Sequence, residues 1–128
     1  MEQQALFETL YQYGVIPVIA IESVESAIPL ADALIDGGLP IAEITFRTAA
    51  AGEVIAKLQQ ARPNLILGAG TILTLENLRL AKEFGARFGV SPGLNPQIMK
   101  EAHHLGLPFI PGVLTPSEIE EAIGLGAR

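Results

Sequence analysis

Apolar residues along this chain alternate between short continuous runs and longer segments in which they recur at helical spacing. The continuous runs predict five strands, over residues 15–21, 40–48, 64–71, 88–90 and 107–112. The runs are too short for core helices, and the first is expected to be covered on both faces. The segments between them predict helices, after an opening helix over residues 5–13. Strict alternation of strand and helix indicates a parallel sheet covered by helices.

Residues with capping chemistry mark where several of the helices begin. Ser23, Thr74 and Asn95 are predicted N-caps. Residues 115–118 carry a capping box, with proline at the first helical position. Pro29 lies inside the predicted second helix and is expected to kink it.

The strand predicted over residues 40–48 carries polar side chains on one face. Alternation of side chains along a strand directs Glu43, Thr45 and Arg47 to the same side. A buried carboxylate and guanidinium are costly unless they are paired or used in chemistry. Two interpretations follow, a structural ion pair or a catalytic site, and the other motifs favour the catalytic site.

Two architectures fit the alternation, a doubly wound open sheet and a (β/α)8 barrel. Polar side chains that point inward favour the barrel, which typically needs about 250 residues and eight strands. This chain has 128 residues and five predicted strands. Residues 126–128 repeat the Gly-Ala-Arg tripeptide of residues 85–87, which leads into the fourth strand. We therefore expect residues 1–128 to be a single domain, an incomplete barrel that stops before a sixth strand.

Composition narrows the classes of function. The formal net charge of −6 argues against a nucleic-acid surface. Absence of cysteine excludes thiolate metal ligands, and the adjacent His103 and His104 are expected on a solvated helix face rather than in a zinc site. Residues 1–4 lack the basic start of a secretion signal, and no apolar run approaches the ~18 residues of a membrane helix. We expect a soluble, cytoplasmic protein.

The candidate chemistry lies at the carboxyl ends of the predicted strands, where α/β folds assemble their sites. The residues concerned are Glu43, Arg47, Thr71, Pro92, Gly93, Pro111 and Gly112. Residues 68–71, Gly-Ala-Gly-Thr, lack the third glycine of a dinucleotide fingerprint and the lysine of a phosphate loop. For Gly93 and Gly112, a structural turn and a ligand contact are equally favoured.

Four motifs together resemble the 2-keto-3-deoxy-6-phosphogluconate (KDPG) aldolases, which include enzymes that also cleave 4-hydroxy-2-oxoglutarate (KHG). The motifs are Glu-Ile-Thr-Phe-Arg-Thr at 43–48, Gly-Ala-Gly-Thr at 68–71, Ser-Pro-Gly at 91–93 and Pro-Gly at 111–112. The resemblance extends over essentially the whole chain. It implies a (β/α)8 barrel, usually a homotrimer, that releases pyruvate and an aldehyde. The aldehyde is glyceraldehyde 3-phosphate from KDPG and glyoxylate from KHG.

The resemblance also implies the roles of individual residues. Glu43 is implied as the general acid and base, and Arg47 and Thr71 as groups that hold the pyruvate carboxylate. Pro92 and Gly93 are implied to line the pocket. No metal or cofactor is implied, because a lysine forms a Schiff base with the keto carbon.

That lysine is expected beyond residue 128. The lysines present, Lys57, Lys82 and Lys100, all fall on predicted helices, which form the outer ring of a barrel. We therefore expect the 128-residue chain alone to be inactive. The alternatives are a 2-keto-3-deoxy-6-phosphogalactonate aldolase and a non-catalytic half-barrel that binds or associates.

Overall fold

A computed structural model describes residues 2–128 of the chain. One 3-10 turn, Val24–Ser26, precedes the second helix. The helices are α1 (Glu2–Tyr13), α2 (Ala27–Asp36), α3 (Ala51–Ala61), α4 (Leu75–Glu83), α5 (Pro96–His104) and α6 (Pro116–Gly124). The strands are β1 (Val18–Ile19), β2 (Ile41–Thr45), β3 (Ile66–Gly70), β4 (Phe88–Ser91) and β5 (Phe109–Pro111).

The five strands form one parallel sheet in the order β1-β2-β3-β4-β5. A doubly wound sheet has a point where the strand order reverses, and no reversal occurs among these strands. The sequential order is that of a barrel wall, so the prediction of an incomplete (β/α)8 barrel is confirmed over the other architecture.

Apolar side chains pack on both faces of the sheet. The outer face meets the helices and includes Ala42 and Ile44 of β2. On the inner face, Ile41, Ile66 and Phe88, the first residues of β2, β3 and β4, contact a second set of apolar side chains. That set includes Leu6 and Leu10 of α1. Helix α1 therefore covers the amino-terminal end of the inner face, and the carboxyl-terminal end is left for polar side chains.

The prediction for the first strand was wrong in extent and in burial. Strand β1 has two residues, and Val18 is 60% exposed. The physical reason is its position, because β1 pairs only with β2 within residues 2–128 and is an edge of the sheet. The expected kink at Pro29 was also wrong. Helix α2 begins at Ala27, so Pro29 lies in the first turn, where a missing N–H costs nothing.

Most predicted caps are confirmed by hydrogen bonds. Thr74 Oγ1 accepts from the Asn77 N–H at 3.1 Å. Asn95 Oδ1 accepts from two backbone N–H groups at the start of α5. Thr115 and Glu118 form both bonds of the capping box. Ser23 precedes the 3-10 turn without a capping bond, since its hydroxyl donates to the Glu25 carboxylate.

Four helices, α2, α4, α5 and α6, end with one geometry. Each is followed by a glycine at positive φ: Gly38, Gly85, Gly106 and Gly126. In each, the N–H of the following residue donates at 2.9 Å to the carbonyl five residues earlier, the bond of a Schellman motif. The repeated Gly-Ala-Arg tripeptide therefore has the same backbone geometry at both of its positions. No helix within residues 2–128 is long and apolar enough to cross a membrane.

Candidate active site

Glu43 lies at the centre of β2 on the inner face and is only 7% exposed. Its neighbour on β3 is Gly68, and Gly70 lies two residues further along the same face. A Cβ at Gly70 would overlap the Glu43 carboxylate, and a Cβ at Gly68 would overlap the Phe88 ring. The two glycines therefore provide the space in which the carboxylate lies. The sequence analysis found that these glycines do not fit a nucleotide-binding motif, and it missed this role.

Two opposing influences act on the Glu43 carboxyl. Burial is the larger and raises the pKa of Glu43 above its ordinary value of 4.5, because it disfavours the charged form. The positive charge of Arg47 acts in the opposite direction and lowers it. The side chain accepts no hydrogen bond from any residue that the structure describes. A carboxyl of this kind is suited to exchange protons closer to neutral pH than an exposed glutamate.

The raised pKa of Glu43 has a consequence for stability. The folded chain binds this proton more tightly than the unfolded chain, so ionisation at higher pH favours unfolding. The stabilisation is complete below the unfolded value near 4.5 and is lost as the pH rises through the folded value. We expect the free energy of unfolding of wild type, relative to Glu43→Gln, to fall as the pH rises above about 4.5. Denaturant titrations at several pH values measure this difference, and a flat difference would contradict the assignment.

The structure corrects the placement of Arg47. Strand β2 ends at Thr45, where the Phe46 N–H donates to the Gly70 carbonyl at 2.8 Å and the chain turns away. Arg47 therefore follows the strand in an exposed loop rather than sharing its inner face. Within residues 2–128 no salt bridge joins it to Glu43, so the structural ion pair is not formed.

The loop that carries Arg47 borders an open groove at the carboxyl end of the sheet. Glu22, Glu25 and Glu53 line the same groove. Thr48 fixes the loop by donating from its hydroxyl to the Ile21 carbonyl at 2.7 Å. The guanidinium is thus exposed at the carboxyl end of the sheet, close enough for its charge to act on Glu43.

Thr71 follows β3 directly and has an unusual backbone. Its φ of 56° makes it the single non-glycine residue at positive φ in the described chain. A β-branched residue in this region is strained, by about 1–3 kcal/mol, and such strain clusters at functional sites. Its hydroxyl forms no hydrogen bond to another described residue. The side chain is half-buried, and its hydroxyl is free to bind a ligand.

Pro92 and Gly93 form an exposed loop after β4. The buried Ser91 precedes them, and its hydroxyl donates to the Gly93 carbonyl at 2.6 Å. The structure thus places Thr71 and this loop at the carboxyl ends of β3 and β4, as the sequence predicted, whereas Glu43 lies at the centre of the neighbouring strand β2. Ser91 itself was not singled out, although a serine directly before a Pro-Gly turn was a usable signal.

The three lysines lie on the outer helices, as predicted. Lys57 is on α3, where its Nζ donates to the Val24 carbonyl at 3.3 Å. Lys82 is on α4 and Lys100 on α5. None of them belongs to a strand or to a loop beside Glu43. Across residues 2–128, no three histidine or carboxylate side chains cluster in a way that could hold a metal ion.

Comparison with known proteins identifies the family of this chain. A family model described as KDPG and KHG aldolase matches residues 7–128. The chain belongs to that family. The resemblance read from the four motifs is therefore confirmed.

Relatives and solved structures agree with the KDPG/KHG aldolase assignment. The 2-dehydro-3-deoxy-phosphogluconate aldolase of Treponema pallidum is 47% identical over 94% of this chain and 58% of its own length. The KHG/KDPG aldolase of Escherichia coli K12 is 39% identical over 89% and 54%. A crystal structure of KDPG aldolase from Legionella pneumophila, with pyruvate captured as a covalent carbinolamine, superimposes with a TM-score of 0.83. It is 39% identical over 87% of this chain and 54% of that one. The chain thus spans a little over half the length of these relatives.

Proposed function

We propose that the protein carrying this sequence is a Schiff-base aldolase that cleaves KDPG, KHG or both. The observation that carries the proposal is the buried Glu43 carboxyl with its raised pKa, which lies against Gly70 on the inner face of a KDPG/KHG aldolase chain. The products are pyruvate with glyceraldehyde 3-phosphate or with glyoxylate. We include a cytoplasmic location in the proposal, because such charged acids do not cross a bilayer unaided.

The proposed reaction needs a group that moves protons in several steps. A lysine amine condenses with the keto carbon of the substrate and releases water. A base then removes the proton of the C4 hydroxyl, the C3–C4 bond breaks, and its electron pair moves into the imine to form an enamine. The enamine takes a proton at C3, and water releases pyruvate and the free amine. Glu43 is the one buried carboxyl among the described residues, so we assign it the proton transfers.

The exposed groups around Glu43 suit the substrate carboxylate. Arg47 supplies a guanidinium that can bind a carboxylate with two hydrogen bonds. Thr71 supplies a hydroxyl with no partner in the described chain. Pro92 and Gly93 would form the adjoining wall of the pocket. These roles follow the family's motifs residue by residue.

The Schiff-base lysine is proposed to come from a strand outside these 128 residues, because the three lysines present lie on the outer helices. The test is intact mass after incubation with pyruvate and borohydride, on the full-length protein that carries this sequence and on the 128-residue chain. We expect one reduced pyruvate on the full-length protein and none on the shorter chain. An adduct on the shorter chain would assign the imine to Lys57, Lys82 or Lys100 and overturn this part of the proposal.

Assembly belongs to the same proposal. We propose a homotrimer for the full-length protein, following the family resemblance. Exposed apolar side chains at both edges of the sheet, Val18 at the start of β1 and Leu114 after the end of β5, favour association of the 128-residue chain as well. Size-exclusion chromatography with light scattering tests both, and a sharp monomer peak for either would contradict the corresponding statement.

A further inference from the structure

The carboxyl ends of the strands are tied to one another by backbone hydrogen bonds. Each bond joins the segment at the end of one strand to the neighbouring strand. They are Phe46 N–H to Gly70 O at 2.8 Å, Ile72 N–H to Val90 O at 3.1 Å, and Gly112 N–H to Ser91 O at 2.8 Å. The rim around Glu43 is therefore a connected backbone structure, and the last of these bonds involves Ser91.

Ser91 is 5% exposed and uses both of its oxygens in the rim. Its carbonyl accepts from Gly112, and its hydroxyl donates at 2.6 Å to the carbonyl of Gly93, two residues along the chain. The proline between them has no N–H. The Ser91 hydroxyl is thus the side-chain group that orients the Gly93–Leu94 peptide, to which the Gly93 carbonyl belongs.

Gly112 and Gly93 have different reasons to be glycine. A Cβ at Gly112 would overlap the carbonyl group of Pro92 and lie 3.0 Å from the Gly93 nitrogen. The backbone after β5 therefore packs directly against the Pro92–Gly93 peptide. A Cβ at Gly93 would meet nothing within 4 Å, and its φ is not positive. The fold has no need for glycine at position 93, so the open space beside it is available to a ligand.

We propose that Ser91 is a positioning residue, whose hydroxyl holds the Gly93–Leu94 peptide, and with it the Pro92–Gly93 loop, in the conformation that lines the substrate pocket, while Gly112 of the segment after β5 supports the preceding Pro92–Gly93 peptide. This inference rests on the proposed function for its substrate. The Gly93 N–H, which lies in the peptide that Gly112 supports, donates to no described residue and is a free donor at the rim. Loss of the Ser91 hydroxyl releases the Gly93 carbonyl. The backbone at Gly93 can then rotate, so that the Gly93 N–H no longer points into the pocket.

The kinetic test compares Ser91→Ala with Ser117→Ala in the full-length protein that carries this sequence. Ser117 is an exposed serine on α6 and serves as the matched control. We expect Ser91→Ala to raise KM for the keto acid about 2- to 10-fold, the value of one net hydrogen bond, with kcat little changed. Ser91→Thr, which keeps the hydroxyl, should restore KM. An unchanged KM in Ser91→Ala, or an equal rise in Ser117→Ala, would overturn the proposal.

A second readout does not depend on turnover. Amide hydrogen exchange of Gly112, whose N–H donates to the Ser91 carbonyl, should be about 2- to 10-fold faster in Ser91→Ala than in wild type. Unchanged exchange there would contradict a role in holding the rim. If wild type forms no pyruvate adduct but the exchange responds as expected, the proposed aldolase function fails and the positioning role stands. If wild type is active and neither KM nor exchange responds, the aldolase function stands and the positioning role fails.

Discussion

Replacing Glu43 by glutamine in the full-length protein is expected to lower kcat about 10²- to 10⁴-fold, the usual contribution of a positioned acid and base. Glutamine has nearly the same size, so it fits the space that Gly70 leaves. The amide can neither remove the C4 hydroxyl proton nor protonate the enamine. The variant should still fold, because the lost charge is one that burial disfavours.

The measurement is kcat for cleavage of each keto acid, with Glu120→Gln, an exposed glutamate of α6, as the control. Borohydride trapping of pyruvate separates the steps, because it reports formation of the imine, which precedes the proton transfers at the C4 hydroxyl and at C3. Retained adduct with lost cleavage is the expected pattern for Glu43→Gln. A kcat within about threefold of wild type would show that another group moves the protons.

Truncating Phe88 to alanine is expected to lower the free energy of unfolding by about 3–5 kcal/mol. The ring is fully buried on the inner face and fills the space beside Gly68, where a Cβ would overlap it. The total free energy of unfolding of a protein domain is about 5–15 kcal/mol, so this loss is a large fraction of it. Removal of the ring would leave a cavity on the same face of the sheet as Glu43.

Urea denaturation of the chain, with Tyr11→Ala as control, measures this effect. Tyr11 is 88% exposed on α1, and its truncation should change stability by less than about 0.5 kcal/mol. Gly68→Ala adds a sharper comparison. It should destabilise wild type, where the new methyl meets the ring, and should be tolerated in the Phe88→Ala background. Equal costs of Gly68→Ala in both backgrounds would show that the two residues do not share this space.

Much of the fold could be predicted because the determinants are local. Thr74, Asn95 and Thr115 each satisfy backbone groups within a few residues, so their caps act wherever the helices pack. The limits of β1 and the harmless position of Pro29 could not be read in this way. The first depends on which strands lie beside β1, and the second on the residue at which α2 begins.

For the candidate site, the sequence pattern predicted Glu43 on the inner face of a strand. The same prediction wrongly continued the alternation of side chains as far as Arg47. Alternation holds only while the strand continues. Strand β2 ends at Thr45, where the bond from the Phe46 N–H to the Gly70 carbonyl is the last one to β3 and the chain then turns. Where a strand ends is a property of the pair of strands, so one strand's pattern could not show it.

The sequence by itself determined the order of helices and strands, the caps that begin several helices, the lysines on outer helices, and the four motifs of the KDPG/KHG aldolase family. These depend on spacing and on residue chemistry within short segments. The tertiary structure alone decided the sequential order of the sheet, the clearance that Gly70 gives to Glu43, and the contacts among Ser91, Gly93 and Gly112. Each of these is a contact between segments about twenty or more residues apart, or a loop geometry that such a contact holds, and only packing brings them together.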